Sequence, residues 1–262
     1  MKKSTLIKFW LVLFPLTILS TLALAQEKKP STLIGIGLQQ DAAFPGAEQT
    51  QVLPVPLISW QANNFFMRSG RGMEEAGVHW QLNDNFTLGS QLAFELSRDS
   101  KDSKFLQQAR MPNIAYGVSA GVHAEYSTHI GPAPVDTLLR LRQRSGAERG
   151  ALADLRIEVG IYGTDTLGVQ TYVQTTWANQ QAMNSDFGVK PVNAAFAGIS
   201  PYQADAGLQN YLIGVAGKID LSIDWIAVGT VEYKSLTGDA SDSPVTEKKN
   251  SEAITLGVIY RL

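Results

Sequence analysis

Histidine, serine and carboxylate on one polar face are the raw material of a hydrolytic triad. Guanidiniums facing carboxylates are the raw material of an ion path or a buried ion network. The chain holds three histidines, His79, His123 and His129. His79 shares the parity of Glu75 and Gln81, and His123 that of Ser119 and Glu125, while His129 adjoins the Gly131-Pro132 turn. No nucleophile elbow and no metal-spaced histidine cluster accompanies them, so no enzyme, metal or cofactor site is expected. The stronger pattern is basic. Arg140, Arg142 and Arg144 alternate along one segment and Arg156 follows on the next, with Glu125, Asp154 and Glu158 in the same parity class. Two readings stand for this charge ladder: a narrow pore with a transverse field, or a salt-bridged plug.

Alternation is what must position these side chains. Phe86, Leu88, Leu92, Phe94 and Leu96 oppose Thr87, Gly89, Gln91 and Glu95. Val118, Ala120, Val122 and Ala124 oppose Ser119, Gly121, His123 and Glu125. Period two is the signature of a strand, although a soluble sandwich alternates as well. Length separates the two cases. The segments run to about 10–13 residues, against a usual mode of 5–6. At about 3.3 Å per residue and a tilt of about 40°, ten residues rise roughly 25 Å, the height of a membrane barrel's apolar band. Trp60, Trp80, Phe86, Tyr116, Tyr126, Trp177, Trp225 and Tyr233 fall near segment ends, where interfacial aromatics belong. Ile254, Leu256, Val258, Tyr260 and Leu262 keep one parity to the last residue, and Tyr260 with Leu262 reads as a C-terminal assembly signal.

The expected fold is an all-β, antiparallel up-and-down transmembrane barrel. Twelve strands are expected near 32–39, 51–60, 63–69, 73–82, 85–97, 114–128, 134–144, 151–162, 167–178, 208–219, 223–235 and 252–262. Pro54 and Pro56 fall inside one of them, where a missing N–H weakens a ladder, so ten strands remain an alternative. Short connections alternate with long ones, as periplasmic turns do with outer loops. The longest, 179–207, is the expected functional loop, with Phe187, Phe196 and Tyr202 able to pack and Pro191 able to open a short helix. Loop 98–113 is rich in charge and reads as solvated. Asp239, Asp242 and Glu247 in 236–251 could hold a divalent cation, or lipopolysaccharide phosphates through ions, but aspartates in a Gly/Ser loop more often form turns.

Lys2, Lys3 and Lys8, the apolar stretch Phe9–Leu24 and Ala23-Leu24-Ala25 form a signal peptide, 1–25, with cleavage between Ala25 and Gln26. The barrel domain is then 26–262, and it carries 19 basic against 24 acidic residues. That balance excludes a nucleic-acid partner. The chain has no cysteine, so no disulfide scaffold is possible. A mean hydropathy of −0.05 is too polar for a helical membrane protein and suits an alternating barrel.

Several blocks resemble the MltA-interacting protein / OmpV family of Gram-negative outer-membrane proteins. They are Phe44-Pro45-Gly46-Ala47 with Val52-Leu53-Pro54-Val55-Pro56-Leu57, the turn Arg71-Gly72, and the run from Phe187-Gly188-Val189 through Pro201-Tyr202 to Ala206-Gly207-Leu208. Gly238-Asp239-Ala240-Ser241-Asp242-Ser243-Pro244 completes the set. Asp186 stands where the family has tyrosine, and Leu262 where such proteins most often end in phenylalanine. The resemblance implies a cell outer-membrane barrel, exported through the periplasm and inserted by the barrel assembly machinery among lipids and lipopolysaccharide. It also implies a non-enzymatic scaffold joining a lytic murein transglycosylase to a murein synthase, the alternatives being a small channel or a surface antigen.

Overall fold

The computed structural model describes residues 32–146 and 148–262. The expected signal segment and its Ala25/Gln26 cleavage point lie outside the described residues. Twelve antiparallel strands close into one barrel in chain order. They are β1 Leu33–Ala42, β2 Thr50–Ala62, β3 Phe65–Arg68, β4 Glu75–Gln81, β5 Phe86–Glu95 and β6 Gly117–Ile130, then β7 Ala133–Arg144, β8 Ala151–Gly163, β9 Leu167–Ala178, β10 Gly207–Asp220, β11 Trp225–Leu236 and β12 Asn250–Arg261. β1 closes on β12 with Leu33 opposite Arg261 and Gln40 opposite Ile254. The turns at 63–64, 82–85, 131–132, 164–166 and 221–224 form one rim, and the long connections form the other.

The polarity of the wall is that of a membrane protein turned outward. Leu256 is 65% exposed and Ile34, Ile36, Leu38, Val122, Leu141 and Ile213 are exposed with it. Arg140 is 1% exposed and Asp154 0%. A soluble domain would reverse this, because burying charge costs far more than burying hydrocarbon. The apolar side chains point outward to lipid and the charged ones inward to the lumen. Aromatic rings edge the apolar band, with Trp225 against Tyr260 at 5.1 Å and Phe94 against Tyr116 at 5.4 Å.

The wall departs from regularity between β2 and β5. β3 has four residues rather than the seven expected, so β2 pairs with it only from Ser59 to Ala62. Thr50–Leu57 pairs with β1 alone, which leaves an edge of about eight residues, roughly 26 Å at strand rise, without a ladder on its far side. The two prolines lie on this edge. Ile58 turns both backbone groups toward β3, donating to Ser69 Oγ at 3.1 Å and accepting from Ser69 N–H at 2.8 Å. Strand alternation then turns the nitrogens of Pro56 and Pro54 the same way, toward the open edge. The missing donors are therefore missing where no acceptor strand exists, and β2 runs unbroken for 13 residues.

The short hairpin follows from its turn. Gly70, Arg71 and Gly72 all have positive φ, at 94°, 50° and 85°. No strand continues through three such residues, and the tip bends into the lumen instead. A Cβ on Gly72 would stand 3.3 Å from the Gln174 side chain of β9 across the barrel. Pro54→Val and Pro56→Val are expected to change stability by less than about 1 kcal/mol, since no bond is at stake. Val55→Pro removes an N–H that faces β1 and is expected to cost about 3 kcal/mol or more. Urea unfolding of the refolded barrel in micelles measures both.

Candidate functional site

Antiparallel register brings the lumen residues of neighbouring strands level. Arg140 of β7 stands opposite Asp154 of β8, and Leu138 opposite Arg156. The Arg140 guanidinium reaches Asp154 at 3.1 Å, Glu75 of β4 at 3.2 Å and the Arg71 carbonyl of the inward turn at 3.2 Å. Arg142 pairs with Asp154 at 3.2 Å and with Glu95 of β5. Arg68 bridges Glu75 and Glu125, each at 2.7 Å. Arg71 reaches Glu125 at 2.8 Å and Glu158 at 3.7 Å, and Arg156 holds Glu158 at 2.5 Å. Arg156 also lies 3.7 Å from the Tyr172 ring, whose hydroxyl donates to Glu232 of β11 at 2.7 Å.

Five guanidiniums, those of Arg68, Arg71, Arg140, Arg142 and Arg156, thus meet five carboxylates, those of Glu75, Glu95, Glu125, Asp154 and Glu158. The network is neutral and runs along the lumen face from β3 and its inward turn to β8. This arrangement crosses the lumen with side chains at mid-height and can bind the wall together. Arg144 does not join it. It sits one level nearer the loop rim, where it donates to both carboxylate oxygens of Asp186 at 2.9 and 3.0 Å. Arg68, Arg71 and Asp186 are not among the ladder residues expected from the sequence. Arg68 was legible from parity, but Arg71 and Asp186 stand in connections, where charge ordinarily means solvent.

The histidines have other company. His123 bonds Gln91 at 2.7 Å and His79 bonds Gln61 at 3.1 Å, and both rings pack on Phe66. Among the described residues no hydroxyl bonds either ring.

The long connections fold over the mouth. Between β5 and β6, the 3₁₀ turn Ser100–Asp102 and α1 Lys104–Gln108 bury Leu106, Ala109 and Met111. Loop 98–113 is therefore ordered by apolar contact, not solvated throughout as its charge suggested: Lys101, Lys104 and Arg110 face out, Arg98 is buried, and the few apolar residues Leu106, Ala109 and Met111 face in. Between β9 and β10 lie α2 Gln180–Phe187 and α3 Pro191–Ala197, the latter with Pro191 in its first turn. α4 Gly238–Asp242 follows β11. Phe44, Leu106, Val189, Ala194 and Val245, from four different loops, form one apolar cluster. Phe187 is buried in a second, with Met183, Ala204 and Leu236. The Tyr202 hydroxyl donates to the Asp239 carbonyl at 2.8 Å, and burial together with Asp239 raises its pKa. Phe196 stays half-exposed under Arg110, 4.1 Å away.

The acids of the last loop all have protein partners. Asp239 accepts from Asp205 N–H at 2.7 Å, Asp242 from Lys249 at 3.1 Å and Glu247 from Ser103 at 2.6 Å. Among the described residues no group of side chains is arranged to hold a metal ion. At the opposite rim Tyr260 stands opposite Ile34 and Trp225, and Leu262 N–H donates to Thr32 at 2.9 Å.

The family profile described as "MltA-interacting protein MipA" matches residues 34–262. The MltA-interacting protein of Escherichia coli (strain K12) is 25% identical over 216 residues, covering 81% of this chain and 82% of that protein. The MltA-interacting protein of Shigella flexneri matches to the same extent. Among solved structures, LpxR from Salmonella typhimurium shares 9% identity at a TM-score of 0.48, over 88% of this chain and 100% of that one. The NanC porin shares 9% at a TM-score of 0.46, over 88% and 100%.

Arg140 is the test of the lumen network. Arg140→Met leaves Glu75 and Asp154 short of a buried counter-charge and is expected to cost about 3–5 kcal/mol. The urea midpoint of the refolded barrel reads this loss, and an unchanged midpoint refutes it.

Proposed function

The chain belongs to the MltA-interacting protein MipA family, and from that premise we propose that it is a non-enzymatic scaffold of the outer membrane. In this reading it tethers a lytic murein transglycosylase, and with it a murein synthase, to the inner side of that membrane. The observation that carries the reading is the family match over residues 34–262, together with the similarity to the MltA-interacting protein of Escherichia coli. The lumen supports it. A neutral ion network at mid-height and an apolar lid above it suit a barrel used as an anchor more than one used as a pore.

In this reading the short-turn rim faces the periplasm. Its turns offer a partner little backbone, but they carry apolar side chains outward. Ile223 is 83% exposed at the 221–224 turn, and Leu82, Ile130 and Leu221 are exposed at or beside turns of the same rim. Isolated apolar tips of this kind serve as anchors in small interfaces.

Two measurements decide between scaffold and channel. Crosslinking in intact envelopes is expected to recover a lytic transglycosylase with this chain, and Ile223→Asp to reduce the yield several-fold; recovery of none sinks the scaffold. In planar bilayers the refolded protein is expected to show no stable ion steps, with or without residues 180–206, because the network lies beneath that loop. Stable steps from the intact chain favour the channel.

A further inference from the structure

The lumen network is neutral, but the level above it is not. Three guanidiniums converge on one residue there. Arg144 holds both carboxylate oxygens of Asp186, Arg149 approaches the same carboxylate at 3.7 Å, and Arg98 donates to the Asp186 backbone carbonyl at 2.7 Å. The neighbouring acids are engaged elsewhere: Glu95 pairs with Arg142 in the lumen and Glu148 with Lys190 at 2.8 Å. One carboxylate against three guanidiniums leaves a surplus of two positive charges. Burial pulls the pKa of Arg98 and Arg149 below the ordinary value, against the pull of Asp186.

The three arginines line a cleft of about 580 Å³ walled by the β5–β6, β7–β8 and β9–β10 connections. Arg98 is 6% exposed, and its Nε is buried with no hydrogen-bond partner among the described residues. An orphaned donor on a buried cation is costly, and an oxyanion supplies what it lacks. Guanidiniums match phosphate in shape and charge. The cleft also touches Tyr116 and Val118, both exposed beside the loop rim, where Val118 has the outward parity of Ala120 and Val122. Its charged floor therefore lies next to the apolar band.

We propose that this cleft binds the phosphate headgroup of an acidic amphiphile from the surrounding leaflet, with its chains laid along Tyr116 and Val118. Arg98 and Arg149 meet the phosphate, and Arg144 holds Asp186 as an internal competitor for them. This role is separate from the tethering proposed for the opposite rim.

Calorimetry on the full chain refolded in maltoside micelles tests it, with dihexanoyl phosphatidic acid, dihexanoyl phosphatidylcholine and inorganic phosphate as probes. Saturable binding is expected for phosphatidic acid only. Arg149→Gln is expected to weaken it about tenfold, the loss of one charge-assisted contact. Asp186→Asn is expected to tighten it, a change that misfolding does not produce. Lys249→Gln, in the β11–β12 loop, leaves it unchanged. Absence of saturable phosphatidic acid binding overturns the proposal, as does equal affinity in Arg149→Gln or weaker binding in Asp186→Asn. Inorganic phosphate binding as tightly as phosphatidic acid overturns the amphiphile and leaves a free-phosphate site.

Discussion

In hydrocarbon there is no water to satisfy a backbone N–H or C=O, so each must find a partner within the wall. That constraint explains more of this molecule than any single side chain does. It requires the ladder to close, and β1 closes on β12 in full register. It also explains the irregular region. Where β3 and β4 stop short, β2 presents an edge that would expose donors. Pro54 and Pro56 remove two of them, and Ser69 satisfies the groups of Ile58. The hairpin tip that does not continue the wall turns inward, and its carbonyl at Arg71 becomes a ligand for Arg140. One local shortening thus shapes both the outer wall and the lumen.

The same absence of water governs the charges. A guanidinium on the lipid face would cost about 2–4 kcal/mol at mid-membrane, so the arginines must face inward. Once inside they need counter-charges at contact distance, because burial makes an unpaired ion far costlier than a paired one. The mid-height network meets this requirement charge for charge. The tier above relaxes it, since it lies near the loop rim, and there the balance tips positive around Asp186. Neutral in the membrane and cationic at its edge is what solvation alone would select. The edge is where a surplus can be kept for use.

The lid rests on ordinary apolar burial. Four connections each contribute too few apolar residues to fold alone, and together they form the clusters around Leu106 and Phe187. Hydrogen bonds between loops fix their positions, as Asn193 to the carbonyls of Ala109 and Arg110, and Ser243 to the Phe187 carbonyl. The barrel supplies a rigid ring from which these loops start, which lowers the entropy cost of bringing them together.

Period two was visible in the chain wherever a strand has lipid on one side and lumen on the other, so the barrel, its strand count and the inward parity of Arg140, Asp154 and Arg156 were all legible. The charge of loop 98–113 misled, because composition averages over residues while packing depends on the few that are buried, here Leu106 and Met111. Arg71 and Asp186 were invisible as network members, because turn and loop residues carry no periodicity that says which way they face. The prolines of β2 have no explanation in the sequence alone, since the direction of a missing N–H has meaning only where the neighbouring strand ends. Alternation is a local property and the sequence by itself determines it. Which distant charges meet, and where the wall stops, are decided by register and turn direction, which only the closed tertiary structure sets.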